Sequence, residues 1–162
     1  MEKKTKRSKT MVKKTRIARV CALLNKQKVK YLVIGGEACI LHGLIRTTND
    51  VDILLMKDKK NAVKVLQALS NLTWGIAKEI SPDEILNKPI TIIGDQPKVD
   101  IHTVAWKISY EDAESTKVVR KVEGVKIPFV SIDTLIKTKN TGRLQDKADI
   151  EKLKQLKSIS VR

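Results

Sequence analysis

The stretch Tyr31–Leu55, YLVIGGEACILHGLIRTTNDVDILL, decides how this chain of 162 residues is read. Tyr31 to Ile34 is a short apolar run, the mark of a buried strand. Gly35 and Gly36 follow at once, then a brief helical pattern from Glu37 to Leu41. Gly43 stops that helix, and residues 44–49, LIRTTN, form a loop into a second strand over residues 50–56. That strand opens with Asp50-Val51-Asp52. Side chains two apart on a strand share a face, so the two carboxylates point the same way. Side by side and unpaired they repel, and a cation between them removes that cost. A glycine turn lets a phosphate approach the backbone. Together the two features suit a metal–nucleotide complex.

Upstream, Ile17, Val20, Cys21 and Leu24 recur at helical spacing and predict a helix over 15–28. The segment before it, MEKKTKRSKTMVKKTR, carries eight Lys or Arg against one Glu and lacks apolar periodicity. Residues 1–15 are therefore expected to be a mobile basic tail, and 16–162 one domain. Net charge is +15, which draws phosphate-rich partners and leans toward nucleic acid. With five aromatic residues, a base-stacking platform is not expected. No stretch approaches the length of a membrane span and no secretion signal is visible, so a cytoplasmic protein with no membrane partner is expected. Cys21 and Cys39 lie within apolar patterns and read as buried free thiols.

Downstream, Asp58 is expected to cap a helix over 59–69. Trp74 to Ala77 is expected as a short strand, Ser81-Pro82 as a helix start, Ile90 to Ile93 as a strand and Gly94 to Pro97 as a turn. Residues 99–104, VDIHTV, alternate, with Asp100, His102 and Val104 on one face. A hairpin around Glu123-Gly124 follows, then two helices separated at Thr141-Gly142. The order predicts an α/β (α+β) fold, a mixed sheet flanked by helices.

Asp100, inside an apolar strand, is costly unless paired or ligating. With Asp50 and Asp52 it makes a set able to hold two divalent ions about 3.5–4 Å apart. The structural alternative is that Asp50 caps the strand, Asp52 pairs with Arg46 and Asp100 pairs with a lysine. Cys39-x-x-His42 is a poor zinc signal; His42 is expected to bond backbone groups, and His102 is the better functional candidate because it shares a face with Asp100.

These residues resemble a known family. A Gly-Gly turn, then Asp-hydrophobic-Asp, then a later strand Asp is similar to the DNA polymerase beta-like nucleotidyltransferase superfamily. Gly35-Gly36-x-Ala38, His42-Gly43 and Arg46-x-Thr48-x-Asp50-Val51-Asp52 resemble its AbiEii-type, toxin-related bacterial branch. So do Leu135-Ile136-x-x-Lys139 and Gly142-Arg143-x-x-Asp146-x-x-Asp149. The superfamily often has Gly-Ser where this chain has Gly35-Gly36. The resemblance implies a magnesium-dependent nucleotidyltransferase, with manganese as an alternative ion. It would move a nucleoside monophosphate from a nucleoside triphosphate to an acceptor hydroxyl and release pyrophosphate. Asp50, Asp52 and Asp100 would be catalytic and metal-binding. Gly35, Gly36, Arg46, Thr48, Lys137, Lys139 and Arg143 would bind the nucleotide. The positive charge favours RNA, such as a tRNA end, as acceptor, and the branch implies a cognate antitoxin. Two other readings stay open: a catalytically inactive nucleic-acid or protein binding module on the same scaffold, and an antibiotic-modifying transferase.

Overall fold

The computed structural model describes residues 13–160, so most of the expected basic tail lies outside the described residues. Thr15 is already anchored: its amide and hydroxyl donate to the Glu123 carboxylate at 2.8 and 3.1 Å. Helix α1, Arg16–Lys26, follows and buries Ile17, Val20, Cys21 and Leu24, the periodic positions of the sequence. Strand β1 is Tyr31–Ile34, α2 is Gly35–Leu41, β2 is Asp50–Leu55 and α3 is Lys59–Leu69. Asp58 caps α3 as expected, accepting the Asn61 amide at 2.7 Å. Then come α4, Pro82–Leu86, under a Ser81/Glu84 capping box, β3, Ile90–Ile93, and β4, Lys98–His102. The chain closes with α5, Tyr110–Glu114, the hairpin β5, Val118–Val122, and β6, Val125–Phe129, then α6, Ile132–Thr138, and α7, Leu144–Ser160.

The six strands form one mixed sheet in the order β3-β4-β2-β1-β6-β5. β1 and β2 are antiparallel, with Ile34 opposite Asp52. β2 and β4 are parallel, with Asp50 opposite Lys98 and Asp52 opposite Asp100. Val51, Ile53, Val99 and Ile101 turn to the fully buried side, while Asp50, Asp52, Asp100 and His102 turn to the half-covered side. Alternation in sequence has become a sheet with one sealed face and one half-covered face. Phe129, Leu54, Ile101 and Leu135 are among the fully buried side chains, each contributing roughly 1.5–3 kcal/mol. Both cysteines are buried and free, as expected.

Two local expectations need correction. Trp74 to Ala77 is not a strand. Gly75, at φ +68°, turns the chain into a 3-10 helix, Ile76–Glu79. The Asp95 carboxylate takes the Trp74 and Ile76 amides at 2.8 and 3.0 Å, so these donors need no neighbouring strand. Helix α5 was not expected; a Ser109/Asp112 capping box starts it. The Glu123-Gly124 turn is as read, both residues having positive φ, +51° and +81°.

Candidate active site

Three carboxylates gather on the open face of β2 and β4. Parallel pairing sets Asp52 directly beside Asp100, and Asp50 precedes Asp52 on the same face. The Asp50, Asp52 and Asp100 side chains are 34%, 22% and 17% exposed. Lys98 reaches into them, its Nζ donating to Asp50 Oδ2 at 3.1 Å and lying 3.7 Å from Asp100 Oδ1. His102 Nε2 is 3.0 Å from Asp52 Oδ1. One atom is left over: Asp100 Oδ1 is buried and has no hydrogen-bond partner among the described residues. Burial, and then the charge of Asp52, hold the Asp100 carboxyl above the usual carboxylate range, against the pull of Lys98. Lys98 is correspondingly raised by its bond to Asp50 and the charge of Asp100.

The glycine turn meets this face from β1. A side chain at Gly35 would place its Cβ 2.5 Å from Asp52 Oδ2, and Gly35 has φ +68°, so both space and backbone demand glycine. A Cβ at Gly36 would sit 2.8 Å from Thr48 Oγ1. The turn, the Arg46–Thr48 loop and the first carboxylates thus form one wall of an open cavity of about 440 Å³.

The opposite wall comes from α6 and α7. Lys139, buried at the end of α6, donates to Asp149 Oδ2 at 2.9 Å and lies 3.5 Å from Asp146 Oδ1. Arg46 Nη1 meets the same Asp149 oxygen at 2.5 Å. Arg143 Nε donates to Asp146 Oδ2 at 2.8 Å. Burial alone would raise Asp146, but hydrogen bonds from Thr141 and Arg143 and the charge of Lys139 outweigh it and hold it low. Three cations share two carboxylates, so this wall keeps a net positive charge toward the glycine turn.

The family is now decided by comparison. Residues 15–162 match the family described as nucleotidyltransferase of unknown function, DUF6036. The chain belongs to this family of nucleotidyltransferases. No curated protein matches its sequence. The fold is similar to the lincosamide antibiotic adenylyltransferase LnuA, solved with lincomycin bound: TM-score 0.56, 19% identity, covering 85% of this chain and 93% of that one. It is also similar to a protein from Thermotoga maritima described as a nucleotidyltransferase, with TM-score 0.50, 18% identity, and 89% and 90% coverage. An antigenic nucleotidyltransferase-like protein from Paracoccidioides brasiliensis gives TM-score 0.52, 15% identity, and 88% and 76% coverage. At these identities the likeness concerns the fold.

In this nucleotidyltransferase, most residues singled out in the sequence come together. Asp50, Asp52, Gly35, Gly36, Arg46, Thr48, Lys139 and Arg143 border one continuous cleft, and Asp100 lies beside Asp52 on the neighbouring strand. Lys137 does not join them: it is exposed on α6 and lines neither cavity beside the carboxylates. Arg46 pairs with Asp149 rather than with Asp50 or Asp52. His42 bonds the Val130 carbonyl at 2.8 Å, the backbone role expected of it, and burial lowers its pKa. Lys98 was missed; the signal for it was a lysine two residues before Asp100 on the same strand, hence on the same face. The larger cavity of about 630 Å³, lined by Arg16, Glu37 and Arg120, lies on the other side of the Arg46–Thr48 loop and includes none of the three aspartates.

Among the described residues, no three His, Cys, Asp or Glu side chains are drawn tightly enough to hold a metal ion as they stand. The Lys98 ammonium occupies the space between Asp50 and Asp100 instead. Its side chain is 41% exposed, so solvent offers it an alternative position. The donor set, three carboxylates of which one has a buried oxygen that makes no hydrogen bond among the described residues, suits a hard divalent cation.

Proposed function

We propose that this protein transfers a nucleoside monophosphate from a nucleoside triphosphate to an acceptor hydroxyl, releasing pyrophosphate, in a reaction dependent on magnesium. The observation that carries this reading is the pairing of Asp52, which meets the glycine turn, with Asp100, whose buried Oδ1 makes no hydrogen bond among the described residues. Gly35 and Gly36 leave room for phosphate oxygens against the backbone. Arg46 and Thr48 border the same space, and Lys139 and Arg143 face it from the far wall, where guanidinium groups can fork onto phosphate. Asp50, Asp52 and Asp100 would hold magnesium, two ions or manganese in its place, with Lys98 displaced. When bound, the metal would neutralise phosphate charge and make the acceptor hydroxyl more acidic. The acceptor oxygen forms a bond to the α-phosphorus, the bond from that phosphorus to the α,β-bridging oxygen breaks, and pyrophosphate leaves. Asp100 would take the hydroxyl proton.

The net charge of +15 supports RNA, such as a tRNA end, as acceptor. A second reading, a small-molecule acceptor, is supported by the likeness to a lincosamide adenylyltransferase that this chain covers over 93% of its length. The AbiEii-type branch, and the antitoxin it would bring, rest on the glycine and Gly-Arg-x-x-Asp motifs. The test is transfer of label from each of four α-labelled nucleoside triphosphates, with magnesium, into total RNA and into lincomycin. An Asp50→Ala/Asp52→Ala variant runs alongside. Label in RNA, lost in the variant, supports the first reading, and label in lincomycin supports the second. No label and no triphosphate binding would sink both and favour an inactive binding module.

A further inference from the structure

Beyond the carboxylates the open face of the sheet changes character. On the edge strand β3, Ile90 lies opposite His102 and Ile92 opposite Asp100. Partners directly opposite in a ladder project to the same face, so these isoleucines extend the face that carries the site. They are 45% and 56% exposed, although Thr91 and Ile93 between and beyond them are buried. Val104 and Trp106, just past the end of β4, are 38% and 50% exposed. Ile90, Val104 and Trp106 line one side of a cavity of about 190 Å³. That cavity shares Gly35, Asp52, Lys139 and Arg143 with the larger one beside the glycine turn. A molecule whose phosphates lie on the glycines would find this apolar wall at its other end.

Trp106 is held there against its own backbone preference. Ala105 and Ile108 exchange both amide–carbonyl hydrogen bonds at 2.9 Å, closing a two-residue turn of Trp106 and Lys107. Both turn residues have positive φ, +46° and +69°. Such turns favour Asn-Gly or Gly-Gly, and a bulky residue in this conformation is an outlier. Strain of this kind persists where the surroundings over-determine it, and it clusters at ligand clamps. A large apolar ring is thus fixed, half exposed, at the mouth of the cleft.

We infer that Trp106 is the surface on which the base of the donor nucleotide stacks, an inference that rests on the transferase reading. Stacking is tolerant of base identity because every base has a π face, and purines offer the larger one. The site therefore accepts all four nucleoside triphosphates with a preference for purines.

The test uses Trp74→Phe, which leaves Trp106 as the single tryptophan. Each nucleoside triphosphate is titrated with magnesium and no acceptor, and inorganic tripolyphosphate is the ringless control. Calorimetry follows binding and emission follows the indole. The expected result is that every nucleotide changes Trp106 emission, whereas tripolyphosphate binds without doing so. Trp106→Ala raises KM for the triphosphate about tenfold or more, with kcat altered less than about threefold, and Trp106→Phe recovers most of the loss. Trp106→Asn suits the turn better, so it melts no lower than the parent protein yet binds nucleotide as poorly as the alanine variant. Nucleotide binding seen by calorimetry with silent Trp106 emission and unweakened Trp106→Ala would overturn the inference while leaving the transferase reading intact. Absence of any nucleotide binding would overturn both.

Discussion

On the α6–α7 side of the cleft, Lys139, Arg46 and Arg143 are each matched to Asp146 or Asp149, and both aspartates are nearly sealed from solvent. On the β2–β4 side the balance runs the other way. Three carboxylates share one lysine and one histidine, and an oxygen of Asp100 has no hydrogen bond among the described residues. The first region is finished by the chain itself. Among the described residues, the second has more carboxylates than cations to match them. Buried pairing stiffens a wall, whereas uncompensated carboxylates store a demand for a cation. The contrast predicts that one region governs stability and the other governs chemistry.

The sharpest break comes from the acidic face. Asp50→Ala/Asp52→Ala is expected to lower label transfer by roughly a thousandfold or more, because several kcal/mol of charge stabilisation go with the metal site. Its melting midpoint should move by only a few degrees. A variant that unfolds would instead make these residues structural.

The mirror-image effect belongs to Asp149, whose side chain is 1% exposed and receives both Arg46 and Lys139. Asp149→Ala strands Arg46, leaves Lys139 only its longer contact with Asp146, and is expected to cost about 3–5 kcal/mol, lowering the melting midpoint by around 10 °C. Urea denaturation gives the number directly. A loss well under 1 kcal/mol would erase the distinction between the two regions.

Asp100→Asn probes the acidic side by pH. The folded protein holds this carboxyl above the usual carboxylate range through burial and the charge of Asp52. Ionised Asp100 therefore opposes folding, its contribution being favourable in acid and lost as pH rises through the raised value. The variant should be more stable than wild type by on the order of 1 kcal/mol at pH 7, with the advantage vanishing below about pH 4. Thermal melts at pH 7 and 3.5 decide this, and a variant less stable at neutral pH contradicts it.

The smallest effect is assigned to Lys98, which is 41% exposed between Asp50 and Asp100. Lys98→Met should bind manganese a few-fold more tightly, as removal of a solvent-screened competitor would. Paramagnetic resonance of free manganese measures it without turnover, and unchanged affinity would mean that the lysine does not compete.

Much of this was legible in the chain. The glycine turn, the two-residue spacing of Asp50 and Asp52 and the alternation around Asp100 are local patterns, and local patterns survive folding. Partnership across the chain was not legible. Arg46 finds Asp149 at a separation of 103 residues, and no spacing rule points there. Lys137 and Lys139 look alike as sequence, yet α6 exposes one and buries the other. Trp74 to Ala77 has the composition of a strand, but Gly75 and the distant Asp95 bend it into a 3-10 turn. Trp106 drew no notice in the sequence, because its left-handed turn is a tertiary demand that composition does not announce.

The bond between Arg46 and Asp149 also has a consequence in time. Synthesis delivers Asp50, Asp52 and Asp100 on β2 and β4 well before α7 exists. Until α7 emerges, Arg46 lacks Asp149 and Lys139 lacks both Asp146 and Asp149. The nascent protein therefore carries its carboxylate face before the opposite wall of the cleft, which is complete only once α7 has been made.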